Sequence, residues 1–150
     1  MKKLLCAILA AVMVLSLAAC GGEEMTTTVL TMEQDGITID YTLEAEGDVV
    51  KKIIQKSTLD GSLFDEATMD LMLQSAESYR EAYEAYAGVT YELEEVGANL
   101  VETITIDTTD MDMLKELSAA GLVPMDTENA DVVSLEKTVA NLKELGMTEK

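Results

Sequence analysis

Ile37-Thr38-Ile39-Asp40-Tyr41-Thr42-Leu43-Glu44-Ala45-Glu46 alternates apolar and polar side chains from end to end. Successive side chains of a strand point to opposite faces, so Ile37, Ile39, Tyr41, Leu43 and Ala45 share one face and the polar residues the other. This pattern predicts a half-buried strand of an antiparallel sheet. Asp35-Gly36 before it and Glu46-Gly47-Asp48 after it are turn signals. The flanking stretches, Thr26 to Gln34 and Val49 to Thr58, are rich in β-formers and pair with it as a meander. The third strand carries Lys51, Lys52 and Lys56 beside a strand carrying Asp40 and Glu44, a clustering that cross-strand charge pairing explains.

Downstream the period changes. From about Phe64 or Ala67 to Ala87, Met72, Ala76, Tyr79, Tyr83 and Tyr86 recur at helical spacing, with Asp70, Gln74, Glu77, Glu81 and Glu84 opposite. The expectation is a helix with its tyrosines against the sheet and its acids in water, stopped by Gly88. Val89 to Glu94 and Leu100 to Asp107 alternate again, as a fourth and a fifth strand around Gly97-Ala98-Asn99. A short helix from Met111 to Ala119 and a last helix opened by Ser134 or Asp131 follow, with an irregular connection at Pro124 between them. Gly146 closes the last helix, and Met147 folds back as the apolar partner of that cap. The predicted fold class is α+β, an antiparallel meander sheet of about five strands with helices packed mainly on one face.

The first residues tell a different story. Met1-Lys2-Lys3, the apolar run Leu4 to Leu17, and Ala18-Ala19-Cys20 form a secretory signal peptide. The apolar run is too short for a comfortable membrane span, which takes about 20 residues. Leu17-Ala18-Ala19-Cys20, followed by Gly21-Gly22, resembles the lipobox of bacterial lipoproteins. That resemblance implies removal of residues 1–19 and lipid attachment at Cys20. The thiolate is the soft nucleophile such a thioether needs, and two acyl chains then hold where one alone binds marginally. Cys6 leaves with the signal, so the mature chain forms no internal disulfide. Residues 20–25 read as a lipidated cysteine and short tether, on the order of 15 Å in root-mean-square reach. Residues 26–150 read as a single domain beside the membrane.

Composition narrows function by exclusion. The 150 residues carry 10 Lys+Arg against 29 Asp+Glu, a formal net charge of −19, with no His and no Trp. Without His there is no Ser-His-Asp or Cys-His catalysis and no His-ligated metal. So acidic a surface repels nucleic acid.

Three further stretches carry a family resemblance: Ile53-Ile54-Gln55-Lys56-Ser57-Thr58; Gly88-Val89-Thr90-Tyr91-Glu92-Leu93 with Glu102-Thr103-Ile104-Thr105-Ile106-Asp107; and Val133-Ser134-Leu135-Glu136-Lys137-Thr138-Val139 through Leu145-Gly146-Met147. In order and spacing they resemble the YehR-like family of small bacterial lipoproteins of unknown function. The resemblance implies a sheet packed with helices and brings no catalytic or ligand residues. This chain departs from the family's lysine-rich tendency in being strongly acidic.

Candidate chemistry is sparse. Asp107-Thr108-Thr109-Asp110-Met111-Asp112, with Glu116, offers oxygen ligands at short spacing. It lacks the glycine of a calcium loop, and acids at a helix start are stabilising in themselves, so capping is the favoured reading. Tyr79, Tyr83, Tyr86 and Tyr91 could form a stacking platform, but in a chain with one Phe they are needed as core volume. Glu92, Glu94 and Glu95 read as a solvated strand face, and Arg80 as a helix-surface partner of Glu77 or Glu84. The expectation is therefore a non-enzymatic, monomeric binding module of the envelope, lipid-anchored through Cys20 on the extracytoplasmic side of the cell membrane. It has no cofactor, no metal and no catalytic residue, and its partners are cationic or neutral proteins or peptides. The alternative is a small acidic-site enzyme or a divalent-cation-binding lipoprotein.

Overall fold

The structure is a computed structural model describing residues 24–123 and 131–150. The expected signal peptide 1–19, the expected lipid-attachment residue Cys20 and the connection expected at Pro124 lie outside the described residues.

Three long strands open the domain: β1 (Met25–Gln34), β2 (Ile37–Glu46) and β3 (Val49–Leu59). A 3-10 turn at Gly61–Leu63 leads into helix α1 (Glu66–Glu84). A hairpin of β4 (Val89–Val96) and β5 (Asn99–Asp107) follows, then α2 (Met111–Ala119), α3 (Leu135–Glu144) and a two-residue strand β6 (Thr148–Glu149). They form one antiparallel sheet in the order β4-β5-β3-β2-β1-β6. The fold is α+β as the alternation predicts, with six strands rather than about five. The unforeseen strand is β6, which pairs Thr148 with Thr31 and Glu149 with Leu30. Two residues have no period to read.

Register sorts the side chains by face. Leu30, Tyr41, Gln55, Ile104 and Tyr91 lie opposite one another in one row across the sheet, and Thr28, Leu43, Ile53, Ile106 and Val89 in the next. This face meets the helices. Leu43, Ile53, Ile104 and Ile106 are buried with Leu114 and Leu117 of α2 and Leu142 of α3. Full burial of a leucine such as Leu43 or Leu114 contributes about 1.5–3 kcal/mol. The opposite face carries rows such as Val29-Thr42-Ile54-Thr105-Thr90, none of them fully buried.

Helix ends follow their caps. Asp65 accepts from the Thr68 amide at 2.8 Å and starts α1. The start of α3 is braced from afar. Ser134 caps it locally, while Asp48 in the β2–β3 turn accepts from the Glu136 amide and the Ser134 hydroxyl, both at 2.8 Å. At the end of α3, Gly146 sits at φ 95°, a left-handed conformation that favours glycine. Gly146 donates to the Lys143 carbonyl and Met147 to that of Leu142, both at 3.0 Å, and Met147 is buried as expected. That turn also sends the chain back along β1 as β6.

Candidate functional site

The row Tyr41-Gln55-Ile104-Tyr91 crosses the centre of the helix-covered face. Above it, Tyr83 of α1, Leu122 and Val123 after α2, and Thr138, Asn141, Leu142 and Leu145 of α3 leave a pocket open to solvent. Its floor is Ile53, Ile104 and Ile106, and its enclosed part measures about 30 Å³. That is room for one or two water-sized groups. The lining is mainly apolar. Leu145 stands 60% exposed beside it.

Tyr41, Gln55, Tyr83 and Thr138, which line the pocket, already have hydrogen-bond partners. The Tyr41 hydroxyl donates to Gln55, whose side-chain amide in turn reaches Ser57. The Tyr83 hydroxyl donates to the Leu122 carbonyl at 2.5 Å, and the Thr138 hydroxyl to the Ser134 carbonyl at 2.7 Å. Tyr83 stacks on Tyr91 with ring centres 5.9 Å apart. The Tyr91 hydroxyl has the Ala76 carbonyl at 3.0 Å and the Glu102 carboxylate as acceptors for its single proton. Burial, with the Tyr83 phenol and the Glu102 carboxylate nearby, pushes Tyr41 up to about 12. Burial, followed by Glu102 and Tyr79, does the same to Tyr83. Burial and the Glu102 hydrogen bond push Tyr91 up as well. These phenols stay neutral at physiological pH.

Tyr83 is buried as expected and Tyr86 packs partly against the core, but Tyr79 is 53% exposed. The buried stripe of α1 is rotated from the predicted one, toward Arg80. At 100° per residue Arg80 lies roughly 60° to one side of Tyr83 and Tyr79 about 40° to the other. Arg80 is half-buried, its guanidinium 5.8 Å from the centre of the Tyr91 ring. It also pairs with Glu77 at 3.4 Å. Sequence reasoning found the ion pair and missed the ring contact, because Tyr91 belongs to a different element.

None of the remaining candidates lines the pocket. Asp107 accepts from the Thr109 amide and hydroxyl, and Asp110 from the amides of Asp112 and Met113, so their oxygens turn the chain into α2. Among the described residues no group of three or more acidic or thiol side chains is placed to hold a metal ion. Glu92, Glu94 and Glu95 are exposed, as are Glu77, Glu81 and Glu84. On β3, Lys52 pairs with Glu44 at 3.0 Å and Lys51 with Glu46 at 3.6 Å. Asp40 faces Lys56 in register, yet its ion-pair partner is Lys150, at 2.8 Å. No described helix is long and apolar enough to cross a membrane.

Fold and site together define a small α+β domain with one six-stranded antiparallel sheet, helices over one face and an apolar pocket between them. The chain belongs to the DUF1307 family of proteins of unknown function, which matches residues 26–148. The fold is similar to the NMR structure of the E. coli YehR protein, with a TM-score of 0.67 at 20% identity over 86% of this chain and 93% of that one. It is also similar to the NMR structure of a Streptococcus pneumoniae protein, with a TM-score of 0.58 at 16% identity over 100% and 96% of the two chains. A comparison with curated proteins finds no match.

Proposed function

We propose that this protein is a lipid-anchored, non-enzymatic binding module of the bacterial envelope, held by Cys20 at the extracytoplasmic face of the cell membrane. The observation that carries the binding reading is the pocket over Ile53, Ile104 and Ile106, apolar inside, with the Tyr41, Gln55, Tyr83 and Thr138 side chains around it already hydrogen-bonded within the domain. Such a site suits an apolar side-chain tip and offers no free acid or base for a reaction. Hydrogen bonds from Ser62, Thr68 and Thr109 hold Asp60, Asp65 and Asp107, respectively, below the usual carboxylate range, so they stay charged at neutral pH. The excess of acidic residues selects cationic or neutral partners.

Crosslinking in intact cells, followed by identification of the captured proteins, tests the reading. Asn141 is exposed at the pocket, so Asn141→Trp covers the opening from outside the core. The variant should keep its melting temperature and lose the captured partner. Unchanged capture at wild-type stability would overturn the pocket as the binding site. A hydrolytic or transfer activity of the purified protein, lost on removing one carboxylate pair, would overturn the non-enzymatic reading.

A further inference from the structure

The two edges of the sheet are treated differently. On one edge β6 pairs with β1, and Lys150 donates to the Val29 carbonyl at 3.0 Å beyond it. The other edge is β4, whose only strand neighbour among the described residues is β5. The Asp107 amide donates to the Gly88 carbonyl at 2.9 Å, and the register from Val89 to Val96 runs without a shift. Antiparallel pairing alternates, so Thr90, Glu92, Glu94 and Val96 bond to β5 while Tyr91, Leu93 and Glu95 turn their N–H and C=O groups outward. Among the described ion pairs none involves Glu92, Glu94 or Glu95. Charged side chains guard such an edge against indiscriminate pairing, and on β4 every one of them, Glu92, Glu94 and Glu95, is negative and exposed.

We propose that β4 is a docking strand that takes an extended basic peptide segment by strand addition. Tyr91 is buried, so the outward N–H and C=O groups of Leu93 and Glu95 supply the main-chain hydrogen bonds. Glu92 and Glu94 share the open face, where they sit opposite lysine or arginine at every second position of the peptide. On the other face the half-buried Leu93 meets an apolar side chain. The ligand class is thus an extended segment alternating basic and apolar residues. A second copy of this chain is the wrong occupant, because joining two β4 edges crowds like carboxylates together. The proposal rests on the reading of the chain as a binding module, but uses a surface apart from the pocket.

The test uses the mature lipidated protein in non-ionic detergent and a heptapeptide of alternating valine and lysine, with empty micelles as control. Binding should protect the Leu93 and Glu95 amides from hydrogen exchange and weaken with salt. Glu92→Lys with Glu94→Lys should weaken it by about tenfold or more, since two cross-strand attractions become repulsions. Glu95→Pro removes one outward donor and spares the β5 ladder, so it should also weaken binding at unchanged stability. Equal binding of a peptide with its lysines and valines in separate blocks would mean charge attraction alone and overturn strand addition. So would wild-type affinity in the double lysine variant, or the absence of binding at millimolar peptide. Asn141→Trp should leave this binding intact, so failure of the pocket reading and failure of this one remain distinguishable.

Discussion

Tyr83 joins α1 to the loop after α2 through one hydroxyl and to the sheet through one ring. Tyr83→Phe removes the bond to Leu122 and should cost about 1 kcal/mol. Tyr83→Ala also removes the buried ring and its stacking on Tyr91, and should cost about 3–5 kcal/mol. Denaturant unfolding of the two variants separates the contributions. The phenols also set an alkaline limit. Tyr41 and Tyr83 have folded values raised to about 12 against about 10 when unfolded. The folded state holds these protons more tightly, so their contribution is fully present below pH 10 and is lost as pH rises from about 10 to 12. Urea unfolding across that window should show the fall, and replacing both tyrosines by Phe should flatten it. Asp48 acts in the opposite direction. The Glu136 amide and the Ser134 hydroxyl lower it, so its contribution is present above its unfolded value near 4 and disappears as pH falls through the lower folded one. Asp48→Asn should remove that acid dependence and expose the Glu136 amide to exchange first.

Among the elements, those with a long period were legible and those made by distant contacts were not. The ten residues of β2 alternate cleanly, and the observed strand has the predicted bounds, Ile37–Glu46. Charge pairing between β2 and β3 was also readable from the clustered lysines, but the partner was not: the turn alone would put Lys51 opposite Glu44, and an irregularity between Glu44 and Ala45 brings Lys52 there instead. Lys150 taking Asp40 was not, since it depends on the C-terminal tail returning to β1. The face of α1 was misjudged at Tyr79 because a helical wheel sees the stripe but not the partner that turns it. The β4–β5 hairpin was readable, whereas its docking through β5 onto β3 was not. The pocket had no sequence signature, because its lining comes from five separate elements and a loop. The Gly146 turn is the element on which β6 depends. Gly146→Ala places a side chain at φ 95° and should cost about 1 kcal/mol. Hydrogen exchange should rise at Thr148 to Lys150 before it rises in α3.

For the whole molecule, charge and tether dominate. The chain carries −19, and removal of residues 1–19 takes away Lys2 and Lys3 besides. Self-repulsion at that charge destabilises the compact state, so raising sodium chloride from about 10 mM, where the Debye length is about 30 Å, to 0.15 M, where it is about 8 Å, should raise the melting temperature. A fall over that range would mean that the ion pairs Lys52–Glu44 and Lys150–Asp40 outweigh the excess acid. The proposed tether would decide where the acidic domain acts. β1 begins at Met25, five positions after Cys20, so a lipid on that cysteine keeps the sheet within a few residues' reach of the bilayer. Pocket, acidic edge and partner chemistry gain their proposed meaning from that location. The most direct measurement is the intact mass of the protein extracted from membranes of cells that make the full chain, beside that of Cys20→Ser. The account predicts a chain starting at Cys20 and carrying a diacylglyceryl thioether, with the Cys20→Ser variant left at precursor mass or released. A membrane-bound Cys20→Ser protein at the mature mass, or a wild-type chain without lipid, would contradict it.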